Sequence, residues 1–134
     1  MYTDIKLFED ACKDQGIDPV AIMPDFSMLP TGLGNFLRSG LRLAIVNVSI
    51  NKDEDGKEWK PNWSDEDEYK YFPWMDVEAD DEKPSGSGLS FRVTGYAYSV
   101  TTVASRLMCR DRERAKYIFE QFKSDWENYI LYRE

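Results

Sequence analysis

The chain contains no histidine. That absence removes the usual general base near neutral pH, the Ser-His and Cys-His nucleophile pairs, and the commonest zinc ligand. Only two cysteines occur, Cys12 and Cys109, too far apart in sequence for a paired-Cys zinc site and too few for a disulfide framework. Both fall in apolar-periodic stretches, where a free Cys behaves as a small hydrophobe. No apolar run approaches the ~20 residues a membrane span needs. Met1 to Asp10 has neither the basic nor the apolar part of a secretory signal. Phosphate-cradling loops are missing too: Gly32-Leu33-Gly34 lacks a third Gly and a preceding strand. Walker A, G-x-S-x-G and H-E-x-x-H patterns are absent. Positive charge is scarce, with 17 Lys and Arg against 25 Asp and Glu and a net charge of −8. Such an excess repels phosphate backbones and anionic lipid surfaces. These absences lead us to expect a cytoplasmic chain that is not an enzyme, holds no cofactor or metal, and binds neither nucleic acid nor membrane.

Apolar side chains are plentiful at 42%, and aromatics reach 14%. A chain of 134 residues with that supply is expected to form one domain over 1–134, burying roughly two-thirds of its unfolded surface. Thr3 is placed to cap a helix carrying Ile5, Phe8, Ala11 and Cys12, which Gly16 ends. Asp18-Pro19 reads as the start of one short turn, broken by Pro24. From Thr31, Leu33, Phe36, Leu37, Leu41, Ala44, Ile45 and Val48 line one helical face. A strand over Leu41 to Ile50 is the competing reading, and the longer helical match outweighs it.

Three alternating runs follow, expected as strands of an antiparallel meander. The first sets Tyr69, Tyr71, Met75 and Val77 on one face and Lys70, Phe72, Trp74, Asp76 and Glu78 on the other, with Pro73 demanding an edge. The second places Leu89, Phe91, Val93 and Ala97 inward and Arg92, Thr94, Tyr96 and Tyr98 outward. The third, from about Thr102 to Cys109, turns Val103, Leu107 and Cys109 inward and Arg106 and Met108 outward. Asp111 caps a long last helix striped by Ala115, Ile118, Phe119, Phe122, Trp126, Tyr129 and Ile130. The expected class is α+β: N-terminal helices, a three-stranded meander, and a long C-terminal helix packed on one sheet face.

Acidic runs at Asp65–Glu68 and Asp76–Glu82 lie in polar segments, where a solvated surface explains them better than a catalytic pair. Asn51-Lys52-Asp53-Glu54-Asp55-Gly56 starts like an EF-hand loop, but its twelfth position is Asn62 instead of a bidentate Glu and Pro61 blocks an exit helix. More informative is the outer sheet face, which carries Phe72, Trp74, Arg92, Tyr96, Tyr98, Arg106 and Met108. Left open, it combines aromatics with Arg as binding hot spots do; covered by the helix near 33–48, it is core. Trp59 and Trp63, flanking Pro61 in a polar loop, are further binding candidates.

Trp59-Lys60-Pro61-Asn62-Trp63, Asp67-Glu68-Tyr69-Lys70-Tyr71-Phe72-Pro73-Trp74, Ser105-Arg106-Leu107 with Cys109, and the closing aromatic helix resemble small uncharacterised proteins encoded by phages and prophages of gut bacteria. Phe8, Ala11, Cys12 and Ile17-Asp18-Pro19 fit more loosely. Met75 stands where another aromatic is expected, and Lys52–Glu58 is longer than usual. The resemblance implies a phage or mobile-element setting, hence a bacterial host's cytoplasm, and supplies no activity or site residues. The leading expectation is an accessory protein that binds a protein partner, or another copy of itself, through aromatic and acidic surface. A binder of a planar, anionic, nucleotide-like small ligand, held by Arg92 or Arg106, is one alternative. An acidic mimic of nucleic acid that inhibits a host enzyme is another.

Overall fold

A computed structural model describes residues 1–83, 85–97 and 104–134. Short 3-10 turns occupy Tyr2–Asp4 and Ser105–Leu107; the helices are α1 (Phe8–Gln15), α2 (Thr31–Ile50), α3 (Arg112–Gln121) and α4 (Lys123–Ile130). Between α2 and α3 lies a hairpin of β1 (Lys70–Glu78) and β2 (Gly88–Ala97). The fold is α+β.

Helix α1 starts later than expected. Thr3 sits in the preceding 3-10 turn, and the Asp10 carboxylate instead accepts the amides of Lys6 and Leu7 at 3.0 and 2.8 Å. Gly16 ends it at φ 68°. The Ile17 amide reaches back to the Cys12 carbonyl (2.8 Å) and the Gly16 amide to that of Lys13 (3.3 Å), closing the helix as a Schellman motif.

Helix α2 takes the helical reading over the strand reading, but its buried face differs from the expected stripe. Leu43, Val46 and Ile50 are fully buried, whereas Leu33, Phe36 and Leu37 are exposed. The core-facing row includes polar residues that hydrophobic periodicity does not register. The Ser39 hydroxyl donates to Asp125 (2.9 Å) and the Asn47 amide to the Met108 carbonyl (2.8 Å). Once paired, such groups are buried at little cost.

Among the described residues the sheet has two strands instead of the three expected. Thr102 and Val103 lie outside the described residues, and of the remainder Cys109 alone forms a bridge, with Tyr71. The amides of Leu107 and Met108 close back onto Ala104 and Ser105, so they have no proton left for a ladder. The Met108 carbonyl is taken by Asn47 and Asn51. Tyr71 and Cys109 exchange both backbone bonds (2.9 and 2.7 Å), so alternate residues of β1 turn their amides away from β2. Pro73, two positions on, therefore lacks a proton only where the β1–β2 ladder does not need one.

The expected long C-terminal helix is two. At Phe122 (φ −119°, ψ 36°) the axis bends, although the bonds from Phe122 to Ile118 and from Trp126 to Phe122 continue. No Pro or Gly marks the bend. It lets α3 lie beneath the hairpin while α4 packs against α2. Ala115, Ile118, Phe119, Phe122 and Trp126 all reach the core; Ile130 does not. That core joins all four helices with Leu89, Leu107, Cys109 and Leu131. Among the described residues, no helix is long and apolar enough to cross a membrane.

Candidate functional site

Strand register decides which side chains the hairpin shows. Trp74 pairs with Val93 and Met75 with Phe91, so Arg92 is an extra residue in β2. A single insertion reverses the alternation beyond it. Leu89 and Phe91 face α3 and the core as expected, Phe91 lying 5.9 Å from Phe119. Beyond the bulge Val93 turns outward, and Thr94 turns toward α3, where its hydroxyl donates to the Arg112 carbonyl (3.4 Å) and its own carbonyl accepts from the Arg112 guanidinium (3.3 Å). Tyr96 joins Tyr71 on that same inner face, under the Arg112 guanidinium (5.6 Å), and stacks on Tyr69 (5.1 Å). The outward assignment of Thr94 and Tyr96 and the inward assignment of Val93 are thus corrected. Ala97 pairs with Lys70 at the outer face's other end, where Trp63 and the 65–68 turn bury Lys70.

The Trp74 end of the outer face is open. Helix α2 packs on α1, α3, α4 and the 105–107 turn rather than across the sheet. Trp74 is 57% exposed and Val93, directly opposite, 47%. Phe72 lies across Gly95, where an added Cβ would stand 2.6 Å from its ring, and sits 6.5 Å from Trp74. Arg92 reaches Asp76 at 3.4 Å. Phe72, Trp74 and Arg92 therefore belong together, with Val93 and Asp76 completing the patch. Val93 escaped the sequence reading because nothing in its neighbours signals a bulge.

The edges of the hairpin are less available than its face. The outward amide of Leu89 is held by the Glu127 carboxylate (2.9 Å), the Thr94 carbonyl by Arg112, and Pro73 interrupts β1. Such devices discourage strand addition.

The remaining predicted residues fall elsewhere. Tyr98 lies outside the described residues. Met108, which follows the 105–107 turn, is fully buried, with its carbonyl held by Asn47 and Asn51 of the α2 end. Trp63 donates its indole N–H to the Ser105 hydroxyl (2.7 Å), with the Lys70 ammonium 5.1 Å above its ring. Trp59 and Arg106, distant in sequence, line one cleft of about 260 Å³ with Lys60, Pro61 and Ser105. That cleft is separate from the Trp74 patch.

Neither cysteine is poised to react. Burial pushes the Cys109 thiol up to about 12 and raises that of Cys12. Asp53 spends its carboxylate on the amides of Asp55 and Lys57, which lower its pKa, while Asn51 is buried against Met108 and Arg110. The acidic turn is thus tied to its own backbone. Among the described residues no three His, Cys, Asp or Glu side chains converge as a metal site. No family model, curated protein or solved structure matches the chain.

Proposed function

We propose that this chain is a non-enzymatic accessory protein of a phage or mobile element that binds a protein partner through the open face of its hairpin. The observation carrying this reading is the uncovered Trp74 beside Phe72, Val93 and the Arg92–Asp76 pair. Aromatic residues with Arg supply most of the energy at protein interfaces, and a ribbon already packed on α3 loses less entropy on docking than a free segment would.

Charge narrows the partner. Asp76, Glu78, Asp80, Asp81 and Glu82 crowd this end of the hairpin against Arg92 and Lys83. A nucleic acid would be repelled, and two copies meeting face to face would oppose acid to acid. The partner that fits offers an apolar side chain ringed by Lys or Arg.

The test compares the wild-type chain with Trp74→Asp in capture from host lysate, followed by reconstitution with the purified captured protein. Circular dichroism serves as the folding control. A single protein that binds the wild type, is lost with Trp74→Asp, and binds more weakly as salt rises supports the proposal. Equal capture by both forms, or a salt-independent complex, refutes it.

A further inference from the structure

We infer that the cleft between Trp59 and Arg106 is a second site, built for a small planar monoanion: an aromatic carboxylate of one or two rings. It is independent of the hairpin surface and uses none of its residues.

Size sets the first limit. At about 260 Å³ the cleft falls just below the roughly 300–1,000 Å³ common for ligand sites, so a fragment-sized molecule fits and a whole dinucleotide does not. Its walls set the second. Trp59, Pro61 and Val48 supply its aromatic and apolar lining. Asn47 also lines the cleft, but its amide is committed to the Met108 carbonyl. An aromatic ring stacks on such walls without needing hydrogen bonds.

The donors give the charge. Ser105 accepts the Trp63 indole proton on its oxygen, which leaves its own hydroxyl proton free to donate. The neighbouring Arg106 guanidinium has no hydrogen-bond or ion-pair partner among the described residues, and neither has Lys60. Guanidinium beside hydroxyl is a natural holder for a carboxylate. Glu58 also lines the cleft, so two cations face one acid and the local balance is +1. In a chain of net charge −8, that small positive spot matches one negative charge and disfavours a polyphosphate.

The experiment titrates benzoate and 1-naphthoate into the labelled full chain at neutral pH, with benzamide as the uncharged control. Chemical shifts of the Trp59 indole and of the Ser105 and Arg106 amides are the readout. Both carboxylates should move these signals at millimolar concentration, and benzamide should bind at least about tenfold more weakly, since a hydrogen bond to a charged group is lost. Arg106→Gln should weaken benzoate by a similar factor. Because Arg106 is exposed and has no partner among the described residues, that variant should keep its native dichroism. Trp74→Asp should bind benzoate like the wild type, which separates this site from the hairpin surface. Unmoved signals, equal affinity for benzamide and benzoate, or undiminished binding by folded Arg106→Gln would each overturn the inference.

Discussion

Asp125 offers the sharpest test of how the helices are held together. Its carboxylate accepts from the Ser39 hydroxyl at 2.9 Å and from the Arg42 Nε at 3.1 Å to each oxygen, so α4 is tied to α2 at two points. Arg42 in turn lies 4.5 Å above the Phe8 ring, which brings α1 into the same cluster. Removing one member of a fully buried ion pair costs about 3–5 kcal/mol. The Arg42 side chain is 29% exposed, and water partly resolvates it, so about 2 kcal/mol is the better figure here. Ser39 is buried and would lose its acceptor, adding about 1 kcal/mol. Asp125→Ala should therefore lower unfolding free energy by about 3 kcal/mol, read from urea melts with an unchanged slope. Asp125→Asn retains a carbonyl oxygen for Ser39 and should lose only about half as much. A loss below about 1 kcal/mol for Asp125→Ala, or equal losses for the two variants, would show that apolar packing alone joins these helices.

Both thiols should resist a maleimide in the native state and react only as fast as the chain opens, because burial raises both pKa values and blocks access; prompt labelling of Cys109 would contradict its position in the core. Burial pushes the Asp14 carboxyl up, but its hydrogen bonds to Lys52 and Ser49 outweigh that effect and leave it below the usual carboxylate value. A depressed folded pKa means that the pair stabilises the fold above the unfolded value near 3.9 and that this contribution fades as pH falls through the folded one. Asp14→Asn should accordingly flatten the acid limb of a stability–pH profile, and an unaltered limb would exclude the Lys52 pairing. Gly95→Ala would put a methyl 2.6 Å from the Phe72 ring, so the ring must swing off the sheet; a destabilisation of about 1 kcal/mol with altered Phe72 ring shifts is expected, and native-like shifts would refute that packing.

How much of this was legible beforehand follows from what periodicity can register. It located α1, α2 and the stretch holding α3 and α4, which it read as one helix: Phe8, Ala11 and Cys12, then Ile45, then Ile118, Phe119 and Trp126 fall on the stripes it drew and are buried. It misjudged the face of α2, since Ser39 and Asn47 are buried by virtue of partners 86 and 61 residues away. Such pairings exist only once the chain has folded. The bend at Phe122 was hidden for a related reason: without Pro or Gly, the cause is the need to serve two neighbours, the hairpin for α3 and α2 for α4. Ser105 and Lys60 entered the cleft the same way, by tertiary placement.

The aromatic surface was half legible, and the dividing line is Arg92. Up to that residue, alternation placed Leu89 and Phe91 on the core side; beyond it every assignment on β2 inverted. One unpaired residue thus has two consequences. It brings Thr94 and Tyr96 under Arg112, where they help anchor the hairpin to α3. It also turns Val93 out to meet Trp74, enlarging the apolar patch at the point where α2 leaves the sheet uncovered. Uninterrupted alternation would bury Val93 and expose Thr94, giving a more polar outer face and a weaker anchor. Bulges concentrate where a side chain must be re-aimed, and the insertion at Arg92 re-aims Val93 so that it stands exposed beside Trp74.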